Sequence, residues 1–546
     1  MSPVARPNSR TRQRGLEKLS PSELKEALAT LAGAQERAST HALLYAGRGN
    51  PNWVATGARD AFFLLGLFAM QACREARDEG QVAGMPQHAG IAARLLRFLD
   101  EQREQPGEAF LRSVLRHGTR RLGFAADAFV HELVDGIVGD NYPVPARMLP
   151  HVERVVHDYL LVELCGGRPP QGRLDLFAAE GGTAAVCYAL DSLVHNGLLA
   201  PGDRVAMLQP AFTPYAEIAA LERFRFEIVP IRAAGSGDDG ARDWHFPDAE
   251  LAKLADPAVR VLLCVNPGNP LSIALAPGER AAIVRAVRTG NPELVIVPDD
   301  AYATVVPGFR SLLADLPEHV IALYSFSKNF GGAGWRLGVI ALQEDNVMDR
   351  RIAALEPAWQ ERLARRYGAA ALPPQRLRFI DRLVADSRAV ALHATAGLST
   401  PQQVQMALFA FTHLLDDHGG YRDATRGIVL RRRDLLWQAL GLPLPPPDPD
   451  RGWYYVQLDL AAWLRRQHGD AFFAFLSARH TPVDFLFRLA EESGIALLDA
   501  TAHGGPAWSF HLSLAHLEDA DCTRLGQCLR ETALRYVDEW RSETAP

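Results

Sequence analysis

Between about Pro145 and Glu344 the chain alternates short runs of β-branched and aliphatic residues with longer stretches whose apolar positions fall at helical spacing. The runs are Arg204–Leu208, Phe226–Ile231, Val259–Val265, Leu294–Pro298 and Val320–Ser325, with Leu176–Ala179 before them. Strands separated by helices predict an α/β fold with a doubly wound, mostly parallel sheet, and such a sheet places its ligand at the carboxyl ends of its strands.

Outside this region the pattern changes. Ser20-Pro-Ser-Glu-Leu-Lys-Glu-Ala-Leu28 reads as a capping box opening a helix. Ala46-Gly-Arg-Gly-Asn-Pro-Asn52 is a glycine-rich turn, and Ala61–Met70 is an apolar helix about half the length a membrane span needs. Asp349–Arg366 is arginine-rich at helical spacing and reads as a solvated or oligomer-facing helix. Pro443-Leu-Pro-Pro-Pro-Asp-Pro449 must be a stiff connector. The alternating Trp453–Leu458 strand and two helical stretches beyond it suggest a smaller α+β domain. The expected division is a disordered arm over 1–18, an N-terminal segment with part of the small domain over 19–144, a large domain over 145–345, a helical connection over 346–440 and the C-terminal small domain over 441–546.

With 546 residues the chain is too long for a single compact core. Charged residues make up 22% and the formal charge is −6, with no basic block beyond the first dozen or so residues, which argues against nucleic acid. Neither a secretory signal nor a membrane span is legible. The six cysteines include no C-x-x-C pair, which argues for a reducing, cytoplasmic setting and against a cysteine zinc site.

The chemistry-bearing residues cluster at predicted strand ends. Tyr324-Ser-Phe-Ser-Lys-Asn-Phe-Gly-Gly-Ala-Gly-Trp-Arg336 follows a strand and sets the amine of Lys328 among Ser325, Ser327 and glycines, with the cation of Arg336 eight positions on. Glu180-Gly181-Gly182-Thr183 joins a strand to a helix, an arrangement suited to a phosphate dianion. Asp299 and Tyr302 end the Leu294–Pro298 strand, and Asn269 lies in the Asn-Pro-Gly-Asn-Pro loop after Val265. Phe212 offers an aromatic face. Taken singly, each has a plain alternative: a loop lysine, a simple turn, a helix N-cap aspartate, a core phenylalanine. Together they supply a phosphate cradle, an acid for a ring nitrogen, a partner for a phenolic oxygen, a stacking face and an amine, the five requirements of pyridoxal 5'-phosphate.

In this order the motifs resemble the fold-type I pyridoxal-phosphate enzymes of the class I aminotransferase group, and within it the bacterial aspartate 4-decarboxylase family. The resemblance runs from Leu19 nearly to the C-terminus, through Ala46–Asn52, Val134-Asp-Gly-Ile-Val-Gly-Asp-Asn-Tyr-Pro-Val-Pro145, Glu180–Ala184, Phe379–Arg388 and Thr395–Met406. It implies Lys328 as the Schiff-base lysine, Asp299 as pyridine partner, and Asn269 and Tyr302 as partners of the phenolate. Phe212 would stack on the ring, and Ser325, Ser327, Arg336, Gly181, Gly182 and Thr183 would hold the phosphate. Tyr142 would reach the phosphate of a neighbouring subunit, making at least a homodimer. Gly47 and Arg48 would meet the substrate's side-chain anion.

Three stretches depart from the family pattern: Cys73–Ala93, the altered glycine-rich segment Leu498-Asp-Ala-Thr-Ala-His-Gly-Gly505, and the one that bears most on the chemistry. Where the family has an arginine that clamps the α-carboxylate, two residues before Ser-Leu-Ala-Asn, this chain reads His511-Leu-Ser-Leu-Ala-His516. Arginine holds a carboxylate through two parallel hydrogen bonds, whereas histidine offers one donor and is only partly protonated near neutrality. Two enzymatic expectations follow. One is decarboxylation of aspartate to alanine with transamination as a side activity; the other is α-decarboxylation, transamination or β-elimination of a different anionic amino acid. A scaffold that binds the cofactor without turnover is a third, against which the retention of Lys328 and Asp299 argues.

Overall fold

The computed structural model describes residues 44–143, 145–236, 243–368, 370–371, 373–390 and 397–544, with Glu23, 26–28 and 30. The arm over 1–18 and most of the Ser20–Leu28 capping box lie outside the described residues.

A seven-stranded sheet forms the centre of the molecule. Its strands are β1 (Leu174–Ala179), β2 (Arg204–Gln209), β3 (Glu227–Arg232), β4 (Val259–Val265), β5 (Val295–Asp299), β6 (Ile321–Ser325) and β7 (Gly338–Gln343). They lie in the order β1-β7-β6-β5-β4-β2-β3. All neighbours are parallel except β7, which runs antiparallel to both β6 and β1. Strands β1, β5 and β6 are buried at every position, as expected of a sheet covered by helices on both faces. Each expected strand in the region is present, within one or two residues of its expected bounds.

Seven helices matter to the site: α1 (Thr56–Ala76), α2 (Pro150–Cys165), α3 (Gly182–His195), α4 (Thr213–Ala220), α5 (Thr400–Leu414), α6 (Gly420–Leu440) and α7 (Asp519–Thr544). The apolar run at Ala61–Met70 lies within α1, whose Ala61, Leu64, Leu65, Phe68 and Ala69 are buried. Its opposite side carries Phe63, Leu67 and Met70 at 61%, 65% and 42% exposure. No helix among the described residues is long and apolar enough to cross a membrane.

The single helix expected over Asp349–Arg366 is two, Val347–Ala353 and Pro357–Tyr367. Pro357 opens the second as its first residue, where its missing N–H costs nothing but the preceding helix cannot continue. Two short strands, Ala234–Ser236 and Asp243–His245, pair antiparallel, with 237–242 outside the described residues. Beyond the proline connector a three-stranded antiparallel sheet forms from β8 (Tyr455–Asp459), β9 (Leu498–Asp499) and β10 (Ser509–Ser513), flanked by α7 and shorter helices. The segment Leu44–Tyr45 joins Ile495–Ala496 as a parallel pair, so the residues just before the glycine-rich turn belong spatially to the C-terminal part.

Candidate active site

The carboxyl ends of β1, β4, β5 and β6 converge, and the strand register decides which side chains meet there. Val265 is level with Asp299 and Asp299 with Leu323, while β7 sets Gly338 opposite both Ser325 and Ala179. The turn after β1, the Asn269 loop, Asp299 and the Lys328 turn therefore open onto one space. A Cβ placed on Gly182 would stand 3.7 Å from Ser325 Cβ and 3.8 Å from Asp299 Oδ2. On Gly181 it would stand 2.5 Å from the Arg336 guanidinium, and Gly181 itself has φ +93°, so glycine is required there for both reasons. Arg336 is in the left-handed region at φ 54°, a conformation a non-glycine residue adopts at a cost and one found often at functional sites.

Lys328 donates to the carbonyl of Gly49 at 2.9 Å, and its Nζ lies 5.6 Å from the centre of the Tyr302 ring. Gly49 also accepts from the Tyr454 hydroxyl at 2.9 Å. Tyr302 is hydrogen-bonded to Tyr455 at 2.9 Å and receives the Asn269 amide at 3.4 Å. The rings of Tyr302, Tyr454 and Tyr455 meet edge-on at 5.0–5.4 Å. Burial pushes the Tyr302 and Tyr454 hydroxyls far above the ordinary phenol range, so both stay protonated donors.

Asp299 is held by the Tyr215 hydroxyl, which donates to Oδ2, and by the Ala301 amide, 3.1 Å from Oδ1. Burial raises the Asp299 carboxyl above its usual range, and the Tyr215 and Ala301 hydrogen bonds and the Lys328 charge offset only part of that. Two buried polar atoms, Ser327 Oγ and Asn269 Oδ1, have no hydrogen-bond partner among the described residues. Orphaned polar atoms in a buried site mark where a ligand's polar groups would sit.

The remaining expected residues are arranged around this centre. Phe212 precedes α4, half-buried, with its ring 5.5 Å from that of Tyr215. Thr183 is exposed in the first turn of α3. His511 lies on β10 opposite Gln457 and Leu498, its ring 4.7 Å from that of Tyr455. Gly47 packs on Leu498, to which an added Cβ would come within 2.6 Å. Arg48 is exposed, its guanidinium 5.8 Å from the Tyr45 ring centre. Tyr142 is 77% exposed and shares none of the hydrogen bonds or ring contacts that link the others.

Four residues of the site were not singled out by sequence: Gly49, Tyr215, Tyr454 and Tyr455. Tyr215 stands three positions after Phe212, one helical turn on, and Tyr455 stands on the inward set of an alternating strand. Those spacings were legible; the hydrogen bonds to Asp299 and Tyr302 were not.

A backbone of this kind is shared by solved aminotransferases and related enzymes. The structure superposes on aspartate aminotransferase of Thermotoga maritima with a TM-score of 0.56 at 15% identity, covering 95% of this chain and 97% of the other. It also matches cystalysin of Treponema denticola, a structure containing pyridoxal 5'-phosphate, with a TM-score of 0.51 at 13% identity over 74% of this chain and 88% of that one. The class the fold defines is thus the aminotransferase-type, fold-type I architecture. In sequence, residues 179–529 match the family described as aminotransferase class I and II. A bifunctional aspartate aminotransferase and L-aspartate beta-decarboxylase from a Pseudomonas species is 42% identical over 531 residues, 97% of this chain and 98% of that protein. The chain belongs to the class I and II aminotransferase family.

Proposed function

We propose that this protein is a pyridoxal 5'-phosphate enzyme that releases the β-carboxylate of L-aspartate as CO2 to give L-alanine, with aspartate transamination as a second activity. The observation that carries this reading is the convergence of the Lys328 amine, the buried Asp299 carboxylate and the Asn269–Tyr302 pair in one space, in a chain 42% identical, nearly end to end, to an enzyme of those two activities.

The donor set fits the cofactor. Ser327, Ser325, Arg336 and the Gly181–Gly182–Thr183 start of α3 would hold the phosphate, and the orphaned Ser327 Oγ lacks the acceptor that a phosphate oxygen supplies. Asn269 and Tyr302 would face the phenolic oxygen, Phe212 one ring face, Asp299 the ring nitrogen and Lys328 the aldehyde carbon. When bound, pyridoxal phosphate supplies an aldehyde that captures amines and a protonated ring that accepts the electron pair of a bond broken at the substrate.

The chain's residues do the rest. Asp299, a carboxylate in a buried setting, would keep a proton on the ring nitrogen of the bound cofactor. Lys328 Nζ, aimed across the Tyr302 ring, takes the proton from the substrate's Cα. Tyr302, kept neutral by burial, and Tyr455, hydrogen-bonded to it, offer hydroxyl groups to the reacting centre. Loss of CO2 breaks the Cβ–carboxylate bond, a solvent proton takes the carboxylate's place at Cβ, and Lys328 returns a proton to Cα, giving alanine.

His511 favours a second reading. An imidazole against Tyr455, in place of a guanidinium fork, grips an α-carboxylate less firmly, and a substrate held differently presents a different bond to the ring. That reading keeps the cofactor and changes the amino acid, with α-decarboxylation, transamination or β-elimination as the reaction.

The proposal includes assembly from at least two copies and a cytoplasmic setting. The exposed Phe63, Leu67 and Met70 on one side of α1 and the outlying Tyr142 support the first. Six free cysteines, with Cys165 and Cys522 pushed up to about 12 by burial, support the second. Incubating the cofactor-loaded protein with L-aspartate in deuterated water tests the reaction: alanine labelled at Cβ is expected. Unchanged aspartate contradicts the proposal, and a decarboxylated amine selects α-bond cleavage instead.

A further inference from the structure

The turn that carries Lys328 is gripped from behind by a buried polar chain. Asn329, next in sequence and 1% exposed, directs its amide Nδ2 at Nε2 of His413 over 2.8 Å. Its carbonyl accepts from the Trp53 indole and the Tyr421 hydroxyl, each at 2.9 Å. His413 lies in the last turn of α5 with its ring fully enclosed, and its Nδ1 stands 2.9 Å from Glu163 Oε1 in the last turn of α2. The Arg422 guanidinium, from the start of α6, donates to the same Glu163 oxygen, and its Nε lies 3.1 Å from His413 Nδ1.

The imidazole lies between Glu163 Oε1 and the donating Arg422 Nε–H on its Nδ1 side and the Asn329 side-chain amide on its Nε2 side. Side chains from the last turns of α2 and α5 and the first turn of α6 gather behind Asn329, beside the candidate cofactor-holding lysine. Packed around the imidazole are the rings of Tyr159, Phe330 and Tyr421, at 5.6, 5.2 and 5.7 Å, with the Tyr324 hydroxyl 2.6 Å from that of Tyr159 and the Asp416 carboxylate near enough to feel the His413 charge. Burial pushes Glu163 up, but the His413 and Arg422 interactions outweigh it and hold the carboxylate below its usual range. Arg422 and His413 also line a cavity of about 700 Å³ together with His117, Arg121 and Asp158. Burying a carboxylate and an imidazole among aromatic rings carries a large desolvation cost, and hydrophobic replacements at such places often stabilise a fold. A polar chain at this place therefore points to a role other than stability.

We propose that Glu163, His413 and Arg422 are positioning residues for Lys328, fixing the direction of its amine through Asn329. The proposal rests on the pyridoxal-phosphate reading of the site. None of the three groups takes part in bond making; each acts through the next.

The test uses the cofactor-loaded protein and the variants His413→Leu, Glu163→Gln, Asn329→Ala and the double variant His413→Leu/Asn329→Ala. The pH midpoint of the cofactor's visible absorption band is expected to move by ~0.5 unit or more in each single variant. The rate constant kcat is expected to fall about tenfold with KM within about twofold, the pattern of lost alignment rather than lost binding. The double variant is expected to match the single ones, since both remove the same link. His413→Gln, which keeps a polar group able to bond Asn329, is expected to recover part of the loss. If His413→Leu fails to fold, Asn329→Ala cuts the same link from the other end. Folded variants with an unshifted band and unchanged kcat overturn the positioning role while leaving the cofactor reading intact. A wild-type protein that takes up no cofactor overturns that reading, and this inference with it.

Discussion

Lys328 and Gly49, 279 positions apart in the chain, are joined by a 2.9 Å hydrogen bond from the lysine amine to the glycine carbonyl. The glycine-rich turn thus closes over the amine from the N-terminal side, while Asn329 is held from the opposite side by His413.

A methyl group at position 49 tests this closure. A Cβ there would come within 2.7 Å of the Tyr455 hydroxyl and 3.0 Å of Lys328 Nζ. Tyr455 cannot swing aside without losing its bond to Tyr302. Overpacking of this kind costs ~1–3 kcal/mol, so Gly49→Ala is expected to lower kcat/KM by about five- to a hundredfold, measured by alanine release at subsaturating aspartate.

Tyr215→Phe removes the hydroxyl that donates to Asp299 Oδ2 and leaves the carboxylate held by the Ala301 amide. Hydrogen bonds to charged groups contribute ~1.5–3 kcal/mol, so weaker cofactor retention by about tenfold or more is expected in equilibrium dialysis. Retention equal to wild type would show that Tyr215 only fills space.

Asp299 gives a pH prediction whose sign follows from its raised pKa. A group with a higher pKa folded than unfolded adds stability below its unfolded value, and that contribution is lost as pH rises through the folded value. In the cofactor-free protein Asp299 is such a group, so its charge becomes a destabilising element as pH climbs past the ordinary carboxylate range. Cofactor-free Asp299→Asn is therefore expected to melt above wild type at neutral pH, with the gap closing towards about pH 4. The order is expected to reverse in the loaded proteins, because only the carboxylate pairs with a protonated ring nitrogen. Scanning calorimetry of both forms across that range is the measurement.

His511→Arg tests the departure in the last strand. A guanidinium beside Tyr455 supplies the two-pronged grip that an imidazole lacks, and about tenfold tighter binding of ordinary α-carboxylates is expected in spectral titrations. No gain would remove His511 from the place given to it.

Much of the sheet was legible because its strands are largely buried, so their apolar runs stand out between helices, as at Val259–Val265, interrupted only by Arg260, and at Ile321–Ser325. The acid, the amide and the amine were legible because each follows such a strand directly, and the register of parallel strands brings their ends together. What could not be read was contact across long stretches of sequence. Nothing local to Gly49 announces Lys328, and nothing local to His413 announces Asn329. The break at Pro357 was legible in principle, since proline forbids the continuous helix that the arginine spacing suggested. The scarcity of lysine was legible as well: the whole chain has four, Lys18, Lys25, Lys253 and Lys328. Of these Lys253 pairs with Glu250 at 2.6 Å and donates to the Pro230 carbonyl at 3.1 Å.

That scarcity makes the most direct measurement a sharp one. The protein is loaded with pyridoxal phosphate, reduced with borohydride, digested and mapped by mass spectrometry. The account predicts a coloured protein carrying one reduced cofactor adduct, on the peptide that contains Lys328. A colourless protein with no adduct, or an adduct on one of the other three lysines, would contradict it.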